Sequence, residues 1–244
     1  MSEKLASSQA HIWYVRPETV IRKRLLSRYE RLLTPEERAR KLRFRFEESR
    51  LEYLVTRALV RTVLSRYTGV APDKWRFRNP PHGPPKVVQP NLATTPRFNL
   101  SHTKGLIACL VARDCDVGVD VENATRSVGF LEIADRYFSP HEVADIRSLP
   151  DSSRRKRFFE YWTLKESIIK AMGTQIASGL SRFSFDLRTD VIRATFDPSV
   201  PGEPTGWQFL LREIGPEHVL AASLRRENAE QLQIEVRETL PLVS

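Results

Sequence analysis

Apolar residues recur at helical spacing in two well-separated stretches of the chain. Leucines and aromatic residues three or four positions apart run through residues 36–67, and a similar pattern returns over residues 158–172. This spacing is typical of amphipathic helices that pack one face on a core. A glycine follows each stretch, Gly69 and Gly173, and glycine commonly ends helices. The pattern therefore predicts two helices, each ended by its glycine.

After each predicted helix the same three features follow in the same order. They are a short strand, a proline-bearing loop and a hairpin. Their predicted positions are 75–78, 79–96 and 97–112 in the first copy, and 182–187, 198–204 and 207–224 in the second. The repeat predicts an α+β fold of two similar lobes forming a pseudo-dimer, each a small, mainly antiparallel sheet packed with helices. We place the lobes at 1–113 and 114–244 and expect a ligand site in the cleft between them.

Charge and cysteine content limit the cellular locations and binding partners that suit this chain. The 244 residues include 39 Lys+Arg and 30 Asp+Glu, a net charge of +9, which suits a nucleic acid, a phosphate-rich cofactor or an acidic protein, or serves only solubility. The two cysteines have no metal-site or disulfide spacing, which favours a reducing, cytoplasmic location. Because no run of about 18 apolar residues and no leader pattern occurs, we expect neither a membrane span nor secretion.

The segment 118–122 reads Gly-Val-Asp-Val-Glu. Alternate side chains of a strand point to the same side, so Asp120 and Glu122 share one face. Two neighbouring carboxylates repel each other unless a cation lies between them, and Mg²⁺ binds carboxylates together with water and substrate phosphates. The alternative is a half-exposed strand with an acidic outer face, and the pentapeptide alone does not decide between the two.

The second predicted helix adds a third carboxylate and two ammonium groups. Helical spacing places Glu166 and Lys170 one turn apart on one face, with Lys165 beside them. The alternative is an ordinary surface ion pair worth about 0.3 to 0.5 kcal/mol, with no functional meaning.

A third polar group follows a predicted strand in the first half of the chain. Ser101, His102 and Thr103 come at the start of a hairpin turn, where we expect their side chains outside the core and able to bind a phosphate. A turn histidine that is merely solvated is the alternative.

Together the segments FNLSH, GVDVE and WTLKESIIKAMG, in this order, resemble the signature of the Sfp-type 4'-phosphopantetheinyl transferases, which activate polyketide and nonribosomal peptide synthetases. The match includes the arginine-rich EERARKLRF and the segment RYFSPHE at 136–142, and it spans most of the chain. The resemblance implies transfer of 4'-phosphopantetheine from coenzyme A to a serine of an apo-acyl or peptidyl carrier protein, with release of 3',5'-ADP. It also implies a two-lobed monomer.

The resemblance further implies the role of each motif residue. Asp120, Glu122 and Glu166 bind Mg²⁺, or Mn²⁺ in its place, with the pyrophosphate of coenzyme A. Glu166 acts as the base for the acceptor serine, and Lys170 offsets charge on the leaving 3',5'-ADP. The remaining implied contacts to coenzyme A are Lys165, Ser101, His102 and Arg40. The family often has a lysine directly after the loop glycine, but here Pro84 follows Gly83, so Lys86 or Arg78 is expected to substitute.

Other classes of protein remain as alternatives. A nucleic-acid-binding module would explain the net charge but gives no use for three carboxylates. An inactive carrier-binding scaffold would be expected to have lost Asp120, Glu122 or Glu166, and all three are present. A trimeric synthase-type enzyme of the same family is usually half this length. No membrane or nucleic-acid partner is therefore expected.

Overall fold

The computed structural model describes residues 3–20, 23–78, 80, 85–173, 180–198, 204–226 and 231–243. Its helices are α1 (Lys23–Leu32), α2 (Pro35–Leu42), α3 (Glu47–Thr68), α4 (Phe130–Tyr137), α5 (Pro140–Ser148) and α6 (Asp151–Met172). Its strands are β1 (Gln9–Val15), β2 (Arg76–Arg78), β3 (Lys86–Gln89), β4 (Arg97–Thr103), β5 (Leu106–Ala112), β6 (Asp116–Asn123), β7 (Phe183–Asp186), β8 (Arg193–Phe196), β9 (Trp207–Ile214), β10 (His218–Arg225) and β11 (Gln233–Glu238). The predicted α+β class is confirmed.

The chain forms two compact units. The first contains Met1–Asp114 together with Leu232–Ser244, and the second contains Cys115–Gln231. The predicted second lobe, 114–244, is therefore wrong for its last segment. The physical reason is that β11 pairs in parallel with β1, from Gln9 opposite Gln233 to Tyr14 opposite Glu238, so its backbone hydrogen bonds are made in the first unit.

Each unit packs one long helix against one main sheet. In the first unit the sheet order is β11-β1-β5-β4, and α3 shares with β1 and β5 a core that includes Trp13, Val15, Leu59 and Ile107. In the second unit the order is β6-β10-β9, and α6 packs across β6 and β10. A separate two-stranded hairpin, β2-β3 or β7-β8, accompanies each sheet.

The helix ends follow the predicted chemistry. Gly69 and Gly173 adopt the left-handed region, with φ of 72° and 67°, and end α3 and α6, because this backbone is strained for any residue with a side chain. Capping boxes begin α2 at Thr34 and α5 at Ser139. In each, the capping hydroxyl and the glutamate three residues later satisfy backbone N–H groups that the helix leaves open.

The single helix predicted over 36–67 is wrong in its middle. Phe46 has an extended backbone, with φ −97° and ψ 143°, and caps α3, so α2 and α3 are separate. Leu42 and Phe46, which supported a continuous helix, are exposed at 66% and 61%. The helical spacing of apolar residues thus continues across the break between α2 and α3, although Leu42 and Phe46 do not pack in the core.

The hairpins predicted over 97–112 and 207–224 are confirmed as β4-β5, which turns at Lys104-Gly105, and β9-β10, which turns at Gly215-Pro216. The first proline loop, 79–96, contains strand β3. This strand was not predicted, because proline has no N–H to donate to a neighbouring strand. Part of that loop, residue 79 and residues 81–84, lies outside the described residues, as do residues 199–203 of the second loop. No helix in the described part of the chain is long and apolar enough to cross a membrane.

Candidate functional site

Strand β6 and helix α6 bring the three acidic side chains together. Asp120 and Glu122 lie opposite Ala221 and Val219 of β10, and their alternation directs both toward α6. Asp120 is 5% exposed and Glu166 is 7% exposed. The alternative of an acidic outer face is therefore wrong, because carboxylates placed on a solvated face would not be buried.

Gly118 permits this close approach of strand and helix. A Cβ atom at this position would lie 1.9 Å from the Ser167 carbonyl oxygen and 2.5 Å from the Ala171 nitrogen. Both distances are impossible for real side chains, so any larger residue would push α6 away from β6. Within β6 this glycine precedes Asp120 by two residues and lies on the same face.

Lys170 pairs with the strand and not with its helical neighbour. Its Nζ atom donates to Asp120 Oδ1 over 2.6 Å. Glu166, one turn earlier, is buried, so the alternative of a solvated i,i+4 surface pair is wrong. Lys170 is therefore in direct contact with one of the three predicted acidic residues.

Burial and the charges within the cluster raise the pKa values of two of its carboxyl groups. Burial first, and then the negative charge of Asp120, raise the pKa of Glu166 to about 7. Burial and Asp120 also raise the pKa of Glu122, while Arg126 and a hydrogen bond from Trp162 oppose the shift. Among the described residues, Glu166 Oε1 is buried without a hydrogen-bond partner. Such an oxygen costs free energy unless a cation, a proton or a ligand satisfies it.

The carboxylates of the cluster fit a metal ion by the type and charge of their donor atoms. Hard carboxylate oxygens that repel one another suit Mg²⁺, which takes one or two carboxylates and completes its shell with water and phosphate oxygens. The described residues contain no preformed group of three His, Cys, Asp or Glu ligands. The carboxylates therefore fit an ion that brings other ligands with it, and they do not form a closed cage.

Lys165 lies elsewhere, and its prediction as a coenzyme A contact is wrong. Its side chain is fully buried, with Nζ 2.9 Å from Glu142 Oε2 and 2.7 Å from the Leu180 carbonyl oxygen. Glu142 belongs to the capping box of α5 and also accepts from the Phe185 N–H. Burial lowers the pKa of Lys165, and Glu142 opposes this. The physical reason for the error is that helical spacing does not show which neighbouring element covers a side chain.

The residues of the first unit that were predicted to bind phosphate lie on two different faces of β4. Ser101 is buried at 5% exposure, contrary to the prediction that it lies outside the core. His102, the next residue, has a side chain that is 57% exposed, with Nδ1 2.5 Å from Glu52 Oε1. Adjacent residues of a strand point to opposite sides, so these two side chains do not face one ligand together from the same surface.

Three further basic residues predicted to contact coenzyme A are exposed in the first unit. Arg78 and Lys86 stand directly opposite each other in the β2-β3 hairpin, which places two like charges on one face. Arg40, near the end of α2, lies over the Tyr53 ring at 5.8 Å. Gly83 and Pro84, on which the departure from the family pattern rests, lie outside the described residues.

Sequence reasoning missed two residues that contact Glu122. Arg126 approaches it to 3.4 Å between Nη2 and Oε1, and Trp162 donates the hydrogen bond that lowers its pKa. Arg126 lies in a turn, where no periodicity marks a partner. Trp162 belongs to the helical motif but was counted only as an apolar residue, although its indole N–H is a donor.

Comparison with known proteins identifies the family. A family model described as the 4'-phosphopantetheinyl transferase superfamily matches residues 116–223, and one described as 4'-phosphopantetheinyl transferase, N-terminal, matches residues 22–114. The 4'-phosphopantetheinyl transferase HetI of Nostoc sp. is 34% identical over 176 residues, covering 71% of this chain and 72% of the relative. The chain belongs to the 4'-phosphopantetheinyl transferase superfamily.

Other 4'-phosphopantetheinyl transferases extend the match. A phosphopantetheinyl transferase of Thraustochytrium sp. is 30% identical over 215 residues, covering 84% of this chain and 74% of the relative. The 4'-phosphopantetheinyl transferase Sfp of Bacillus subtilis is 31% identical over 163 residues, covering 67% and 70%. The family predicted from the three motifs is confirmed, and the superfamily match at 116–223 includes the three acidic residues of the cluster and Lys170.

Proposed function

We propose that the protein transfers the 4'-phosphopantetheine moiety of coenzyme A to a serine hydroxyl of an apo-acyl or peptidyl carrier protein. The serine oxygen forms a new bond to phosphorus, the pyrophosphate bond breaks, and 3',5'-ADP leaves. The observation that carries this proposal is the buried cluster of Asp120, Glu122 and Glu166 beside Lys170, in a chain of this superfamily. A nucleic-acid-binding role would leave this cluster unused.

Asp120, Glu122 and Glu166 would hold Mg²⁺, with Mn²⁺ as a possible substitute. When bound, this ion neutralises charge on the pyrophosphate and makes its phosphorus more electrophilic. The support is the donor set, the burial and the repulsion by Asp120 that together raise the pKa values of Glu122 and Glu166, and the buried Glu166 oxygen.

Glu166 is the proposed general base and Lys170 the proposed electrostatic partner of the leaving group. A base is most effective when its pKa lies near the working pH, and without a metal ion, burial and Asp120 raise the pKa of Glu166 to about 7. It would take the serine proton directly or through one water. The Lys170 ammonium, held by Asp120 at 2.6 Å, would donate to the oxygen that departs with 3',5'-ADP.

The nucleotide end of coenzyme A would meet basic residues of the first unit. His102, Arg40, Arg78 and Lys86 present exposed polar groups. Like charges directly across two strands are unfavourable on their own, so the opposed Arg78 and Lys86 suit a bound anion, and one or the other would replace the lysine that the family often has after the loop glycine. Burial of Ser101 counts against its direct contact with a phosphate.

The decisive experiment incubates the protein with coenzyme A, Mg²⁺ and a panel of apo-carrier proteins, and reads the intact mass of each carrier. We expect one phosphopantetheine arm on the acceptor serine, and none when that serine is alanine. Glu166→Gln tests the site, and Asp135→Asn, an exposed partner of Arg147, is the matched control. A folded protein that modifies no carrier in the panel would favour the inactive scaffold. The site of action is proposed to be the cytoplasm, with no membrane or nucleic-acid partner.

A further inference from the structure

The two units repeat each other, so their positions can be matched. Helices α3 and α6 both have 22 residues and both end at a glycine with positive φ. Counting back from Gly69 and Gly173 pairs Arg66 with Lys170, and Thr62 with Glu166. The first unit therefore contains a counterpart of the acidic cluster, made from different side chains.

The strand residues match in the same way. Lys170 Nζ lies 2.6 Å from Asp120 on β6, and the Arg66 guanidinium lies over the Trp13 ring on β1 at 4.4 Å. Strand β1 pairs antiparallel with β5, the second strand of the β4-β5 hairpin, and β6 pairs in the same way with β10, the second strand of the β9-β10 hairpin. Trp13 thus occupies the position of Asp120, and an aromatic ring replaces the carboxylate beside the helix cation.

In the first unit this counterpart is covered by residues 239–243, which we call the closing segment. Arg66 Nη2 donates to Thr239 Oγ1 over 3.0 Å and to the Val243 carbonyl oxygen over 3.3 Å. The Leu242 N–H donates to Thr62 Oγ1 over 3.2 Å. The two residues that correspond to Lys170 and Glu166 therefore both bond to the closing segment.

Apolar contacts add to these hydrogen bonds. Leu240 and Leu242 pack against the core of the first unit, and the buried Tyr29 hydroxyl donates to the Pro241 carbonyl oxygen over 2.7 Å. Leu242 keeps a φ of 61°, a conformation that costs free energy for a residue with a side chain. The surrounding contacts offset this cost, as expected for a segment held in one conformation by its site.

We propose that the counterpart of the acidic cluster in the first unit is a peptide-binding site whose ligand is the closing segment of the same chain. The ligand class is a short apolar peptide that offers one backbone N–H to Thr62, and a carbonyl and a hydroxyl to Arg66. With Trp13 and Thr62 in place of Asp120 and Glu166, the site lacks the carboxylates that would attract a divalent cation. This inference does not depend on the proposed transferase reaction.

The test uses intact mass to measure how fast carboxypeptidase Y releases Val243 and then Leu242 from the chain, after Ser244. The variant Thr62→Val with Arg66→Met loses the polar contacts while keeping side chains of similar volume. We expect release about tenfold faster than in the parent chain, the ratio that follows from losing about 1.4 kcal/mol of hydrogen bonding. Proteolysis of an opened segment tracks the population of the open form.

The matched control is Glu166→Gln with Lys170→Met, which changes the equivalent positions of the second unit and should leave the release rate unchanged. Thermal melting checks that each variant is folded. If the first pair does not fold, Thr62→Val alone carries the comparison, with an expected acceleration of about threefold for the loss of one hydrogen bond. An unchanged rate in the first-unit variant, or an equal acceleration by the second-unit control, would overturn the proposal.

Discussion

The two units share a framework and differ in the side chains beside the long helix. In both, a fully buried cation of that helix pairs with the capping-box glutamate of the helix before it: Arg61 with Glu37 at 2.7 Å, and Lys165 with Glu142 at 2.9 Å. In the first unit the facing strand residues Trp13 and Val15 join the core. The repeated ion pair therefore belongs to the framework, and the acidic cluster is particular to the second unit.

This difference between the units affects folding stability in one and the proposed chemistry in the other. Burying apolar side chains on β1 stabilises the first unit, whereas burying Asp120 beside Glu166 in the second unit places charges in a poorly solvated position. Sites that need a strained charge arrangement usually reduce stability. The acidic cluster is thus expected to be the place where substitutions remove activity without unfolding the protein.

The largest effect is expected from removing that cluster. Glu166→Gln should lower kcat/KM for carrier modification by about a hundredfold or more, because the proposed base is lost. Asp120→Ala and Glu122→Ala should also remove most activity while thermal melting shows folded protein. Continuous-turnover assays with and without chelator check this, and full turnover in excess chelator would contradict the proposed metal dependence.

Breaking the shared framework pair should cost stability more than chemistry. Lys165→Met leaves Glu142 buried without its cation, and such losses typically cost about 3 to 5 kcal/mol. Arg61→Met should have a similar effect in the first unit, while Lys156→Met, which loses only an exposed pair, should cost less than about 1 kcal/mol. Urea titrations measure all three. A raised KM for coenzyme A at unchanged stability would restore Lys165 as a cofactor contact.

Gly118→Ala tests whether close packing of β6 on α6 is what creates the cluster. The added methyl group would meet the Ser167 carbonyl oxygen at 1.9 Å, so we expect about 1 to 3 kcal/mol of destabilisation and a loss of activity in the folded protein. Gly206→Ala is the matched control, since its nearest contact would be 3.3 Å. Full activity of Gly118→Ala would show that the approach is not required.

A smaller effect is expected on the pH dependence of folding stability in the absence of metal, and it arises from Glu166 in the second unit. The pKa of Glu166 is raised from 4.5 to about 7 on folding, so the folded state holds a proton that the unfolded state has lost. Stability should therefore fall as pH rises from 4.5 to 7. Melting temperatures in chelator should show a shallower fall for Glu166→Gln, and Mg²⁺ at pH 8 should stabilise only the parent chain. Identical slopes would contradict this assignment.

The last prediction concerns assembly. Because the repeat supplies two similar units in one chain, we expect a monomer in solution. Light scattering at micromolar concentration checks the mass, and a stable dimer or trimer would contradict the expectation.

Local sequence was enough for several features. Gly69 and Gly173 end their helices because left-handed backbone suits glycine, and the turn at Lys104-Gly105 joins β4 to β5. The alternation of residues 118–122 correctly placed Asp120 and Glu122 on one face of a strand. These predictions depend on backbone preferences and side-chain direction, which neighbouring residues determine.

Only the tertiary structure decided the rest. Residues more than 200 positions apart pair in β1 and β11, and the position of Lys165 depends on Glu142 in another helix. Whether an acidic strand face is solvated or buried likewise depends on the helix that packs on it. Short-range patterns state which faces a segment has, but the choice of partner for each face depends on the free energy of the whole folded unit.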